Sequence, residues 1–272
     1  MCESAFPMKS RLHVWALMRS AVIFLALALC WESRLCAQTA SSANPSQELR
    51  VPFVGCASDG QQGPVKAPKR KSKVVSIPPE VAVRLAYYQA DEGPGVLAPR
   101  GWFCFGTYGS NGDSLYVTPQ PINSSLLFSA DWKGFTGAVI QASYSYGFTS
   151  GRFEVARVIA RVFPAHMKFA KDVIAEGEWP TSSFPQGPYP GDKLTYLSKE
   201  AVEYETPANQ EGLGTMSRLQ KNGSPITGVA ILGVVSLEGK KDQMLSHSCV
   251  RLPPDWADLG PAIIRQIEKD EM

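Results

Sequence analysis

Val155, Val158, Ile159, Val162, Phe163, Phe169, Ala170, Val173 and Ile174 recur at spacings of three and four. That period puts them on one apolar stripe of a helix running from about 150 to 176. Pro164 lacks the amide proton its turn needs, so the helix is expected to kink or restart there. This long helical signal stands among apolar runs that are short and alternating. Residues 102–108 and 114–118 carry large side chains on both faces, and Gly109-Ser110-Asn111-Gly112-Asp113 between them accepts positive φ, which predicts a hairpin. Residues 138–146 read as a third strand of that group. Two more are expected at 193–197 and 201–206, the second with Val202 and Tyr204 inward and Glu203 and Glu205 outward. A further hairpin pairs 228–237 with 244–252 across 238–242. Helices are expected over about 79–91, from Val81, Leu85 and Tyr88, near 213–220, and over about 255–269, where Leu259, Ile263, Ile264 and Ile267 share a face. Hairpins interrupted by about four helices argue an α+β fold with a mainly antiparallel sheet.

The N-terminus reads differently. Ala21 to Cys30 is an apolar run of ten residues, about half of what crosses a hydrocarbon layer as a helix. Lys9, Arg11 and Arg19 precede it and the small residues Cys36-Ala37-Gln38-Thr39-Ala40-Ser41 follow, which is the order of a secretory signal. Residues 1–37 are therefore expected to be a cleaved leader, with Met18 an alternative start. Residues 38–50 are small and polar, a flexible tether, and 51–272 form one globular domain. A lipid-attached Cys30 is the alternative, although Leu29 is large for the position before such a cysteine.

Export decides how the cysteines are read. Cys2, Cys30 and Cys36 fall in the leader, leaving Cys56, Cys104 and Cys249 in an oxidising compartment where thiols pair. Cys249 sits in a strand-like run, Leu245 to Leu252, where it can serve as a small buried apolar residue. The expected bridge is therefore Cys56 to Cys104. Charge divides along the chain in the same way. The leader holds Lys9, Arg11, Arg19 and Arg34 against Glu3 and Glu32, which balances the remainder of the 27 basic and 25 acidic residues. A neutral mature domain argues against nucleic acid as a partner. The cations Lys66, Lys69, Arg70, Lys71 and Lys73 read as a solvated loop.

Candidate chemistry is sparse. His166 falls on or beside the buried helix face, and His247 alternates with Leu245 and Cys249 on one strand face. A cysteine and a histidine so placed could form a nucleophile and base, but such catalysis needs hydrogen-bond reach and an orienting third group. No close-spaced ligand pair supports a metal site, and no motif implies a cofactor. The glycines from Gly101 to Gly112 lack the Gly-Lys-Ser or Gly-Lys-Thr of a phosphate loop, and Ser150 is one place late for a nucleophile elbow. Asp59, His247 and Glu203 remain as weak catalytic candidates. In a turn, an aspartate such as Asp59 more often bonds its own backbone.

The segments Val51 to Cys56, Leu97 to Trp102, Cys104 to Ser110, Ser183-Phe184-Pro185 and Arg251 to Pro254 resemble exported bacterial proteins with no assigned activity. That resemblance implies an exported domain and carries over no catalytic residue. The leading expectation is a non-catalytic envelope or secreted protein that holds a small ligand or an envelope partner in a cleft beside the aromatic hairpin 102–116. A secreted hydrolase using carboxylates such as Asp59 or Glu203, and an inhibitor or effector of another protein, are the alternatives. On this reading, export with the native leader leaves a mature N-terminus at Gln38, which N-terminal sequencing checks; intact Met1 or Met18 in a membrane fraction would contradict it.

Overall fold

A computed structural model describes residues 49–237 and 239–272. The expected leader lies outside the described residues, as does the tether apart from Leu49 and Arg50, which open a strand instead.

Among the described residues, twelve strands form two sheets. The smaller takes β1 (Leu49–Gly55), β3 (Ser72–Val75), β4 (Leu85–Gln89) and β5 (Gly95–Pro99) in the order β3-β1-β4-β5. The larger runs β2-β6-β7-β8-β12-β11-β10-β9. Its strands are β2 (Ser58–Gly60), β6 (Phe103–Gly109), β7 (Gly112–Thr118), β8 (Val139–Tyr146), β9 (Lys193–Tyr196), β10 (Ala201–Thr206), β11 (Ile226–Leu237) and β12 (Lys240–Arg251). Pairing is antiparallel except for β1 with β4 and β2 with β6. The α+β class with a mainly antiparallel sheet is thus what the sequence patterns led us to expect.

Five α-helices accompany the sheets among the described residues: α1 (Pro79–Ala82), α2 (Ser124–Leu127), α3 (Arg152–Val162), α4 (Met167–Ala175) and α5 (Gly260–Glu271). The long helix breaks at Pro164, as its missing amide requires, and a 3-10 turn over Pro164–His166 joins α3 to α4. Near 213–220 the chain makes a 3-10 turn, Leu213–Met216. The helix expected over 79–91 stops after one turn, and Leu85 to Gln89 is a strand. Leu85, Ala86, Tyr87 and Tyr88 are all buried, so this segment is covered on both faces. Continuous burial removes the alternation that marks a strand, and Val81, Leu85 and Tyr88 mimic a helical period.

Because side chains alternate across a strand, the large sheet supports two cores. On one face, Val139, Val202, Ala230, Leu232 and Leu245 pack against α3 and α4. On the other, Leu115, Val117, Ile140, Val229 and Val250 join α5 and the small sheet, including Leu85, Leu97, Ile263 and Ile267.

Cys56 and Cys104 are bonded, with Cα atoms 5.4 Å apart, and Cys249 is buried and free. The bridge ties the end of the small-sheet strand β1 to β6 of the large sheet. It closes a segment of 48 residues in sequence separation, for which loop closure in the unfolded chain amounts to about 4 kcal/mol. Cys56→Ser and Cys104→Ser should each lower the denaturation midpoint by a similar amount, and the double variant little further. Cys249→Ser should retain the bridge. Equilibrium denaturation with non-reducing peptide mapping checks both.

Candidate functional site

The helix-side face of the large sheet changes character part-way across. One cross-strand row reads Thr107, Ser114, Ser143, His247, Ala230, Val202 from β6 to β10. The apolar end lies under α3 and α4, while the hydroxyl end floors an open cleft of about 580 Å³. Ser114 and Ser143 share a hydrogen bond of 3.1 Å, and buried Gln141 donates to Ser143 at 2.8 Å. The Oε1 of Gln141 accepts the Arg218 amide at 2.9 Å, so floor and wall are joined. Tyr108 and Ser110, from the aromatic hairpin, line one side of the cleft, and Phe153, Glu154 and Arg157 of α3 line the other.

That wall is held by a buried cation. Arg251 is 2% exposed and donates to the carbonyls of Gly137, Gln220 and Phe135. Three carbonyls offer partners without a counter-charge, and burial lowers the Arg251 pKa. They come from two loop segments that also pair through Phe135 and Leu219, so one side chain clamps both to the sheet.

Behind the floor lies a neutral polar web. Tyr204 of β10 crosses Gly228 of β11, where a Cβ would strike its hydroxyl, and reaches β12. Its hydroxyl is 2.9 Å from His247 Nε2, 2.9 Å from Cys249 Sγ and 3.0 Å from the Ser248 carbonyl. A carbonyl only accepts, so Tyr204 donates to Ser248. The tyrosine oxygen then accepts from both Nε2–H of His247 and the Cys249 thiol. This assignment satisfies all three groups and leaves His247 Nδ1 unprotonated, with no protein partner among the described residues. Burial pushes the His247 pKa down to about 4 and the Cys249 thiol up to about 11. Imidazole and thiol are therefore both neutral at physiological pH. With 3.7 Å between Sγ and Nε2, the two meet on one strand face, but as a thiol and a neutral ring rather than a thiolate and an imidazolium.

The three sequence candidates do not converge. Asp59 lies on β2, first in the large sheet, and Glu203 on β10, seventh, which at the usual strand spacing is about 29 Å. Asp59 was expected in a turn but sits within the strand, where its carboxylate accepts the Gly60 amide at 2.8 Å. Glu203 projects from the opposite face to His247, beside Glu268 of α5. Burial, and then the neighbouring Glu203, push Glu268 up to about 7. A second cavity of about 580 Å³ is lined by Glu203, Thr195 and Arg265. Glu268 does not border it, and its Oε1 is enclosed without a hydrogen-bond partner. His166 is half-buried beside the apolar stripe, with Nε2 3.5 Å from a Glu200 carboxylate oxygen. No group of three His, Cys, Asp or Glu side chains among the described residues is placed to hold a metal ion. Nor is any described helix long and apolar enough to cross a membrane.

The hydroxyl row and the Tyr204 reach were missed from sequence. Each depends on register between strands distant in the chain, and the only local trace is Gly228 inside an apolar strand run, a mark of close approach by another group. No protein-family model, curated protein or solved structure matches this chain.

His247 carries a pH signature. Its pKa is about 4 in the fold against about 6.5 unfolded. Below pH 6.5 the unfolded chain takes up a proton that the native state refuses. The stability contribution is complete above pH 6.5 and is lost as pH falls to about 4, on the order of 3 kcal/mol in all. Glu268, raised to about 7, acts in the opposite direction as pH rises from about 4.5 to 7, so variants must be compared. Denaturant unfolding from pH 7 to 4 should show His247→Gln losing less stability than wild type; parallel curves would contradict a neutral buried His247.

Proposed function

We propose that this chain is an exported binding protein that holds a small polar ligand, without chemical turnover, in the cleft beside the β6–β7 hairpin. The observation that carries this reading is the hydroxyl end of the sheet row, Thr107, Ser114 and Ser143. It borders a concavity within the size range of small-molecule sites. Thr107, Ser114 and Ser143 are partly exposed, so the face is polar where α3 leaves it open to the cleft. Export is supported by the charged, apolar and small-residue order of the leader and by the Cys56–Cys104 bridge.

The inert state of the web behind the cleft supports binding over catalysis. A nucleophilic cysteine needs a lowered pKa, and burial acts the other way on Cys249. The hydrolytic alternative draws on Glu203 beside Glu268, yet of the two carboxylates only Glu203 borders the adjoining cavity. For the effector alternative, Phe103 is the one exposed large apolar residue of the hairpin, too little for an apolar docking patch.

Ser143→Trp would fill the cleft floor while leaving both cores in place. In thermal-shift screening of the mature protein against polar metabolites, a ligand at a hundred times its Kd should add about 2.7 kcal/mol of stability. Ser143→Trp should abolish the shift. A ligand that stabilises both proteins equally would locate binding elsewhere.

A further inference from the structure

We infer that the ligand of this cleft is a saccharide, recognised by the hydroxyl row with His247 Nδ1 as an acceptor and by the open face of Trp179. The inference rests on the binding role proposed above and names its ligand class. Three observations carry it.

First, the polar groups of the floor are neutral and of dual character. Ser114 donates to Ser143, which also accepts from Gln141, so Ser143 keeps its donor and Ser114 its acceptor positions for the cleft, a pair that a sugar hydroxyl, itself donor and acceptor, can match. A phosphate or carboxylate ligand would instead call for a surplus of donors; of the two arginines that line the cleft, Arg157 is held by the Glu154 carboxylate at 2.9 Å and the Arg218 guanidinium lies 5.7 Å from the Trp132 ring centroid.

Second, His247 is 5% exposed and borders the cleft. Its Nε2 is held by Tyr204, which fixes the tautomer, and no protein donor among the described residues meets Nδ1, so a ligand in the cleft can supply its hydrogen bond. A neutral O–H group fits it.

Third, Trp179 lines the same cleft and stacks on Phe153 with ring centroids 4.7 Å apart and planes 5° from parallel. Phe153 covers one face of the indole, which keeps it from turning, and Trp179 is still 42% exposed. Such a rigid aromatic plane offers a negative face to the C–H groups of a pyranose ring, whose hydroxyls point sideways to the floor.

The test is a titration of the mature protein with a panel of neutral and uronic-acid oligosaccharides, followed by tryptophan fluorescence and calorimetry. A non-sugar panel of amino acids, nucleosides and carboxylic acids runs beside it. Binding of at least one saccharide is expected, weakened about tenfold or more by Trp179→Ala and by His247→Phe, and restored in part by His247→Gln, whose carbonyl can accept. Circular dichroism and the wild-type disulfide map establish that each variant is folded. If only non-sugar solutes bind, and Ser143→Trp blocks them, the saccharide class is wrong and the binding role stands. If neither panel binds, the binding role itself is overturned. Saccharide binding indifferent to Trp179→Ala and His247→Phe would place the sugar outside this cleft and overturn the inference.

Discussion

Register between β11 and β12 is the constraint on which the other layers depend. Ala230 pairs with His247 and Gly228 with Cys249. A slip of one residue would exchange the faces of β12, turning Ser248 and Val250 toward α3 and exposing His247 and Cys249 to α5. Both cores and the cleft floor would be lost together. The web of Tyr204, His247 and Cys249 makes that register costly to change, because the tyrosine hydroxyl finds three partners on β12 only when Gly228 lies between them. Since the web is buried, any polar group left without its partner there would cost about 1–3 kcal/mol.

What was legible in the sequence followed the range of the interaction. The β6–β7 hairpin could be read because Gly109 and Gly112 meet as its last pair, and Gly112 takes a φ of 127° that other residues avoid. The interrupted long helix could be read because its stripe and its Pro164 are local. The small sheet was not readable. Its strands β4 and β5 are buried nearly throughout, so they carry no alternation, and β4 pairs in parallel with β1, which lies some thirty residues earlier in the chain. Turn length was misjudged as well: β11 and β12 stay paired to Leu237 and Lys240, across the residues given to a loop.

The site was less legible than the fold. The i, i+2 relation of His247 and Cys249 correctly put them on one face, because it needs only the strand period. Their third partner, Tyr204, lies 43 residues before His247, and nothing local indicates it. Glu203 was rightly assigned an outward position relative to Val202 and Tyr204. In a sheet covered on both sides, however, outward means a second core, where it meets Glu268. Asp59 was expected in a turn, but it lies on β2 and its carboxylate accepts the amide of the next residue, Gly60.

The free thiol and the cleft are two consequences of one arrangement. In an oxidising compartment a third cysteine is a hazard unless its thiolate is suppressed, since the thiolate is the species that exchanges with disulfides. Burial among apolar side chains would do this alone. Burial pushes the Cys249 thiol up to about 11, and the Tyr204 hydroxyl that accepts from this thiol also takes up Nε2–H of His247, which fixes the imidazole in one tautomer. Tyr204→Phe would remove the acceptor for both: Cys249 would lose its partner, and the ring of His247 would be free to turn Nδ1 away from the cleft. Cleft binding should therefore weaken in that variant while burial alone keeps the thiol protonated, although Tyr204 does not itself line the cleft beside the hairpin.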